Sequence, residues 1–137
     1  MTILYLDASA WVKRYYQERG SERLHLLLSG DDARACSVLG VVEVVATLAR
    51  KAKAHEITRE DFEAKLADIE QDWRTFIQLE LTLQTVSHAR EVAAEFALRG
   101  ADAVHFAALR LLQQDVSNSG HRVVLVASDR ELKEAAL

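Results

Sequence analysis

The sequence predicts an α/β protein in which helices cover both faces of a mainly parallel sheet. Short apolar runs, too short for helices, alternate along the chain with longer segments of helical periodicity. These runs are almost continuously apolar, which is typical of parallel strands whose two faces are both covered. Ligands of such open sheets usually bind beyond the carboxyl ends of the strands.

The first quarter of the chain predicts two strands and two helices. Residues 2–7 form a short apolar run that predicts a buried strand. Ser9 is a candidate N-cap for a helix that continues to about Tyr16. Residues 22–28 predict a second helix that ends at Gly30, and residues 33–37 predict a second strand.

The valine-rich segment that follows is ambiguous from residue preference alone. Its β-branched residues favour a strand, but the segment continues through residues 38–51 and is too long for a typical strand. We therefore predict a helix. Residues 58–61 resemble a capping box and open another helix, with Phe62, Leu66 and Ile69 along one face.

The rest of the chain keeps the same alternation, with Gly100 as the expected stop between two helices. Apolar side chains recur at helical spacing on both sides of that glycine. The predicted elements are strands at 75–81 and 122–127, helices at 89–97, 104–112 and 130–136, and a turn at 117–120.

Composition predicts one globular domain over residues 1–137. Half of the residues are hydrophobic and 28% are charged, which argues against disorder, and the formal net charge is −4. Cys36 is the only cysteine, which excludes an intrachain disulfide and a thiolate cluster. No signal-peptide pattern or membrane-length apolar run is present, so we expect a cytoplasmic protein without membrane contact.

Four isolated acidic residues are the strongest functional signal. Asp7 and Asp129 each follow an apolar run. Glu43 is the only charge in residues 38–48, and Asp102 begins an amphipathic segment. A carboxylate beside so much apolar surface is costly unless water, a cation or hydrogen bonds compensate for it. We therefore predict that all four converge on one divalent metal site.

The residues around these acids resemble those of a known family. The order and spacing of four blocks are similar to those of the PIN-domain ribonucleases, particularly the VapC toxins of bacterial and archaeal toxin–antitoxin pairs. The third block is the most specific. The blocks are residues 6–10 (LDASA), 42–44 (VEV), 98–107 (LRGADAVHFA) and 127–132 (ASDREL).

The resemblance implies a three-layer α/β/α domain and a Mg²⁺- or Mn²⁺-dependent endoribonuclease. It carries over Asp7, Glu43, Asp102 and Asp129 as catalytic residues and metal ligands, with Asp7 and Asp102 as direct ligands. Hard cations of this kind prefer oxygen ligands, and a metal-activated water would attack the RNA phosphodiester. The resemblance also implies a VapB-like antitoxin as partner and a homodimer.

Each site residue also has a structural interpretation that the sequence leaves open. Asp7 and Asp102 are both candidate helix caps, and Asp129 is a candidate turn residue. Glu43 would face solvent if its helix were less buried than its composition predicts. His105, three positions after Asp102, is either a general acid–base or a structural histidine.

Several other side chains have two candidate roles. Ser9 would cap the first helix, hydrogen-bond an acidic ligand, or do both. Residues 58–73 would pack on the core or form a dimer or antitoxin surface. Candidate RNA contacts, which are otherwise solvated charges, are Lys13, Arg14, Arg99 and Arg130. Aromatic residues that would stack on bases, bind a partner or pack in the core are Trp11, Tyr15 and Tyr16.

Two other functions compete with the nuclease hypothesis. A haloacid-dehalogenase-type phosphatase also begins with an aspartate after a strand, but its usual second aspartate would fall at Ser9. A PIN-like binding module without catalysis is the non-enzyme alternative. The presence of all four acids argues against that alternative, and an assay of metal-dependent RNA cleavage separates the three.

Overall fold

The computed structural model describes residues 1–128, so Asp129, Arg130 and the helix predicted at 130–136 lie outside the described part. Strands and helices alternate along most of that length. In chain order they are β1 (Thr2–Leu6), α1 (Ala8–Trp11), α2 (Ser21–Leu28), β2 (Ala33–Ser37), α3 (Val38–Lys53), α4 (Arg59–Trp73), β3 (Ile77–Leu79), α5 (Leu83–Phe96), α6 (Gly100–Val116) and β4 (Arg122–Val126).

The four strands form one sheet in the order β3-β2-β1-β4, and every neighbouring pair is parallel. β1 lies in the interior of this sheet, where Tyr5 is in register with Ala35 of β2 and Leu125 of β4. The prediction of a parallel sheet is therefore confirmed. Because parallel strands share one carboxyl edge, residues that follow β1, β2 and β4 meet at the same end of the molecule.

Alternate residues of β1 pack against two different helical layers. Leu4 and Leu6 face a core cluster built with α1 to α4, and Ile3 and Tyr5 face a cluster built with α6. This alternation follows from the two-residue period of a strand. The chain thus has the three-layer α/β/α architecture that the family resemblance implied.

The aromatic residues near the N-terminus lie in the core. Trp11 is fully buried and stacks on Phe76 and Trp73, with ring centroids 4.6 Å and 5.6 Å apart. Tyr15 is also buried, and its hydroxyl accepts a hydrogen bond from Trp11 Nε1 at 2.9 Å. Core packing therefore explains both Trp11 and Tyr15, and neither ring is exposed for base stacking.

The segment after β1 differs from the predicted helix in its cap and its length. Asp7 is the N-cap, and its Oδ1 accepts a hydrogen bond from the Ala10 N–H at 3.0 Å. The prediction that Ser9 caps this helix is wrong, because Ser9 is already inside α1. The α-helix ends at Trp11 and continues only as a 3-10 turn over Val12–Arg14, so it does not reach Tyr16.

The junction between α5 and α6 also differs from the prediction. α5 ends at Phe96, where Ala97 takes a left-handed conformation with φ of 54°. Gly100 is the first residue of α6, so the prediction that it stops the preceding helix is wrong. Asp102 lies in the first turn of α6 but is not its cap, which is Arg99.

Most other elements occur where the sequence predicted them. The valine-rich segment is a helix, α3, capped by the Ser37 hydroxyl. Thr58 caps α4 as predicted, and Phe62 and Ile69 bury the apolar face of that helix in the core. The third strand is shorter than predicted, at Ile77–Leu79.

Candidate active site

Three of the four predicted acids line one cavity at the carboxyl edge of the sheet. Asp7 follows β1, Glu43 projects from the second turn of α3, and Asp102 projects from the first turn of α6. Together they border a cavity of about 580 Å³. Another cleft, of about 670 Å³, lies between α2 and β4, and its lining within residues 1–128 contains no acidic side chain.

Asp7 is almost completely buried, with 2% of its surface exposed. The Ser9 hydroxyl donates to Asp7 Oδ1 at 2.8 Å and lies 2.9 Å from Oδ2, and the Ala10 N–H donates to Oδ1. Burial raises the pKa of Asp7, whereas these two hydrogen bonds favour its ionised form. The hydrogen bond expected between Ser9 and an acidic side chain is present.

Ser9 also connects Asp7 to the segment that follows β4. Its oxygen accepts a hydrogen bond from the Ser128 N–H at 3.1 Å. Ser128 borders the same cavity and immediately precedes the undescribed Asp129. Ser9 therefore holds the ends of β1 and β4 together beside the predicted site.

Glu43 is half-buried, with 31% of its side chain exposed. Its Oε1 lies 2.6 Å from Nε2 of His105, which is 2% exposed. Glu43 is thus not a solvated surface charge, because one oxygen is tied to the protein interior while the residue borders the cavity. His105 is a buried histidine in contact with the site.

Asp102 lies beside both Asp7 and Arg99. Its side chain is 14% exposed, and its Oδ2 lies 3.3 Å from Arg99 Nε. The charge of Asp102 is close enough to Asp7 to help raise the pKa of that carboxyl, after the larger effect of burial. Like charges gathered in this way favour a cation between them.

The chemistry of these side chains fits a small divalent cation. Carboxylate oxygens are the ligands that Mg²⁺ and Mn²⁺ prefer, and Mg²⁺ usually takes only one or two of them while it keeps several waters. Within residues 1–128, no group of three His, Cys, Asp or Glu side chains is arranged to hold an ion by itself. The fit therefore rests on few direct ligands in a cavity with room for water.

Comparisons with known proteins identify the family to which this chain belongs. The PIN domain family matches residues 4–136. Two curated relatives from Mycobacterium tuberculosis, Ribonuclease VapC45 of strain CDC 1551 / Oshkosh and Ribonuclease VapC49 of strain H37Rv, are each 44% identical over 111 residues. Each alignment covers 78% of this chain and 74% of the relative. The chain belongs to the VapC branch of the PIN-domain family.

Solved structures agree with this VapC-family fold. PAE2754 from Pyrobaculum aerophilum has a TM-score of 0.67 at 22% identity and covers 98% of this chain and 79% of its own. A toxin–antitoxin complex from Klebsiella pneumoniae has a TM-score of 0.58 at 16% identity, with 88% and 95% covered. VapBC2 from Rickettsia felis, bound to a DNA fragment from its promoter, has a TM-score of 0.58 at 9% identity, with 90% and 98% covered. At these identities the likeness establishes the fold alone.

Family membership excludes the haloacid-dehalogenase alternative, since the match extends over nearly the whole chain. Across residues 1–128, no helix combines the length and apolar character needed to cross a bilayer.

The predicted basic contacts of this VapC-family chain divide into two groups. Lys13 and Arg99 border the cavity. Lys13 Nζ also lies 3.0 Å from Glu18 Oε1, so its charge is partly satisfied. Arg14 does not border the cavity and instead forms a two-bond contact with Asp72, at 2.7 Å and 3.3 Å.

Among the residues that border the cavity but were not predicted are Glu18, Thr47 and Arg50. Thr47 and Arg50 lie four and seven positions after Glu43, so they share its helix face. That spacing was visible in the sequence and could have identified both. Glu18 belongs to the loop after the 3-10 turn, where no periodicity signals its position.

Proposed function

We propose that this chain is a Mg²⁺- or Mn²⁺-dependent endoribonuclease and the toxin of a type II toxin–antitoxin pair. The observation that carries the proposal is the shared cavity of Asp7, Glu43 and Asp102 in a chain 44% identical to proteins named ribonucleases. We assign Asp129, which directly follows Ser128, as the fourth acid of the same site.

Each side chain of the site would have a distinct role in phosphodiester hydrolysis. Asp7 and Asp102 would be the direct ligands of the cation, and Ser9 would hold the Asp7 carboxylate in its ionised form through its hydroxyl proton. Glu43 would face the same ligand from α3. A bound Mg²⁺ supplies activation of a water nucleophile and neutralisation of the phosphate charge.

Cationic side chains at the rim would hold the RNA backbone. Lys13, Arg50 and Arg99 border the cavity, and we assign all three to phosphate contacts, with Arg130 as a further candidate. Such contacts release counterions, so RNA affinity should fall with added salt. Replacing Arg50 with Gln should reduce that salt dependence, whereas Arg59→Gln, at a 78% exposed side chain on α4, should not.

The proposal extends to partners and context. Two structural neighbours are toxin–antitoxin assemblies, which supports a VapB-like antitoxin as the partner of this chain. We also propose that residues 1–137 form one domain, that the toxin is a homodimer, and that it acts on RNA in the cytoplasm. Size-exclusion chromatography with light scattering would test the dimer.

An RNA cleavage assay tests the activity directly. Purified protein should cut RNA internally when Mg²⁺ or Mn²⁺ is added and should not cut it in excess chelator. Asp7→Asn should be inactive, whereas Asp115→Asn, the same chemical change at an exposed position of α6, should cut like the wild type.

Two outcomes of this assay would count against the proposal. Cleavage by Asp7→Asn at the wild-type rate would remove Asp7 from the active site. Wild-type protein that binds RNA but never cuts it, at any metal concentration, would instead support the alternative of a binding module without catalysis.

A further inference from the structure

A buried chain of hydrogen bonds runs from the sheet to Glu43. The Ser37 N–H donates to the Tyr5 hydroxyl oxygen at 3.2 Å. Tyr5 Oη lies 2.8 Å from His105 Nδ1, and His105 Nε2 lies 2.6 Å from Glu43 Oε1. Tyr5 is 0% and His105 is 2% exposed. The four groups come from the end of β2, from β1, from α6 and from α3, so only the tertiary fold brings them together.

When His105 is neutral, the groups at the two ends of this hydrogen-bonded chain determine the direction of its bonds. An ionised Glu43 can only accept, so His105 must carry a proton on Nε2. In a neutral imidazole Nδ1 is then an acceptor, and the Tyr5 hydroxyl must donate to it. The backbone N–H of Ser37 occupies an acceptor site of the same hydroxyl. The contacts therefore specify one tautomer of a neutral His105, with the proton on Nε2.

Close packing around His105 depends on Gly40. A Cβ atom at Gly40 would collide with Cys36 Sγ and would lie 3.3 Å from His105 Cε1. Gly40 therefore lets the first turn of α3 approach both β2 and the imidazole closely. This approach brings Glu43, three residues further along α3, within reach of His105 Nε2.

We propose that His105 is a positioning residue that orients Glu43 toward a cation in the cavity, with Tyr5 and the Ser37 N–H as its supports. This inference rests on the proposed function, because it assigns a purpose to the position of Glu43. The bond from His105 takes Oε1 only. Within residues 1–128, Glu43 Oε2 receives no hydrogen bond from the protein, which leaves it for a ligand.

A positioning role for His105 predicts other effects of substitution than a role in core packing alone. Groups that hydrogen-bond a metal-binding carboxylate set its orientation, and their loss typically reduces metal affinity about 10- to 100-fold. A histidine with only a packing role would change stability when replaced but would leave metal affinity intact. Metal affinity therefore separates the two interpretations, and the tautomer of the ring tests the hydrogen bonds on which the positioning role depends.

The tautomer can be read in the metal-free protein. Long-range ¹H–¹⁵N correlation spectra of histidine-labelled protein should show His105 protonated on Nε2 and unprotonated on Nδ1. In Tyr5→Phe the donor to Nδ1 is absent while Glu43 still accepts from Nε2, so the Nδ1 resonance of His105 should shift and the proton should stay on Nε2. A wild-type ring protonated on Nδ1 alone, or a Tyr5→Phe spectrum without change at His105, would overturn the inference.

Calorimetric titration with Mn²⁺ tests the effect on the site. His105→Leu introduces an apolar side chain of similar bulk and removes the Nε2 donor to Glu43. We expect Mn²⁺ affinity to fall about 10- to 100-fold. His105→Gln offers an amide N–H in place of Nε2, and it should retain most of the wild-type affinity. Leu112→Ala, a buried substitution in the α6 core, controls for lost stability and should bind Mn²⁺ normally.

The outcomes separate this inference from the proposed function. If wild-type protein binds no Mn²⁺ and cuts no RNA, the metal-dependent nuclease itself fails. If the wild type binds Mn²⁺ and His105→Leu binds it equally well, the nuclease stands and the positioning role of His105 is wrong. Equal losses in His105→Leu and Leu112→Ala would likewise mean that stability alone explains the effect.

Discussion

The position of Asp7 suits both a structural role and a chemical role. It caps α1 through the Ala10 N–H, and it borders the cavity that contains Glu43 and Asp102. The sequence left capping and metal binding as alternatives for this residue. The geometry is compatible with both, because the Ala10 N–H donates to Oδ1, whereas among the described residues Oδ2 accepts a hydrogen bond only from the Ser9 hydroxyl.

Replacing Asp7 with Asn should preserve or increase the stability of the metal-free protein. Asn caps helices about as well as Asp, and it removes a charge whose burial is unfavourable. Thermal denaturation in chelator would measure the effect, and the melting temperature of Asp7→Asn should equal or exceed that of the wild type. A large decrease would instead mean that the ionised carboxylate is needed to hold the fold.

The stability difference between these two proteins should depend on pH. Burial raises the pKa of Asp7 in the folded state, so the folded protein holds its proton at pH values where the unfolded chain has lost it. Metal-free wild type should therefore lose stability as pH rises from the unfolded value, about 3.9, through the folded value. Asp7→Asn should lack this loss. Denaturant titrations across that range would reveal it, and parallel pH profiles would contradict it.

Individual residues could be predicted only where local sequence carried the signal. Asp7 stood out because it directly follows an apolar strand, and Glu43 because it is the only charge among valines. The contacts of His105 could not be predicted. Its two partners lie 62 and 100 positions away in the sequence, and only folding brings them together.

At the scale of elements, Asp72 ties α4 to the segment after α1. Its carboxylate accepts two hydrogen bonds from Arg14 and one from the Tyr15 hydroxyl at 2.6 Å. Burial alone would raise the pKa of Asp72, but these donors outweigh it and hold the pKa below its ordinary value. This contact gives Arg14 a structural role at a position outside the cavity.

Asp72→Asn should destabilise the protein at neutral pH by about 1 kcal/mol, since the pair is only partly buried. The folded pKa of Asp72 is lowered, so its contribution is complete above the unfolded value and is lost as pH falls through the folded value. Denaturant titrations of both proteins at falling pH should therefore converge below about pH 4. A deficit that stays constant down to acid pH would mean that packing, not charge, explains it.

The contact between α3 and β2 should tolerate no side chain at Gly40. Gly40→Ala places a methyl group against Cys36 Sγ and should cost about 1 to 3 kcal/mol through overpacking. Gly100→Ala is a matched control, because a Cβ there meets nothing within 4 Å and Ala is the better helix former. Unfolding free energies of both variants would test this.

A double variant that combines Cys36→Ala with Gly40→Ala tests the cause of the stability loss expected in Gly40→Ala. Cys36→Ala removes the sulfur that the new methyl group would meet, so it should recover part of the stability lost in Gly40→Ala. Equal losses with and without Cys36 would contradict the collision. Unchanged stability of Gly40→Ala alone would do the same.

The sequence predicted the elements better than it predicted their ends. β2 and the long α3 helix occur as predicted, because apolar runs and helical length are local signals. The junction at Gly100 was misassigned because glycine is common at helix ends, whereas here Ala97 adopts the left-handed conformation instead.

For the molecule as a whole, a divalent cation should act as a stabilising ligand. Carboxylates gathered at one edge of the sheet repel one another in the folded state, and a cation that binds only the folded protein shifts the equilibrium toward it. Millimolar Mg²⁺ or Mn²⁺ should therefore raise the melting temperature of the wild type. Asp7→Asn should show a smaller increase, and no increase in the wild type would argue against a preformed site.

The site was predictable as a set of residues but not as an arrangement. Parallel strands share their carboxyl edge, so a position for Asp7 at that edge followed from the strand pattern alone. The convergence of Glu43 and Asp102 on the same cavity depends on how α3 and α6 lie against opposite faces of the sheet. Asp129, the other predicted edge residue, lies outside the described part of the chain.

The most direct test of the central claim is the position of Mn²⁺ in crystals of the wild-type protein. Anomalous diffraction from crystals soaked in Mn²⁺ should give a peak in the cavity, in direct contact with carboxylate oxygens of Asp7 and Asp102. The peak should be absent from Asp7→Asn crystals soaked in the same way. A peak elsewhere on the wild-type molecule, with the cavity holding only water, would contradict the metal site and the nuclease built on it.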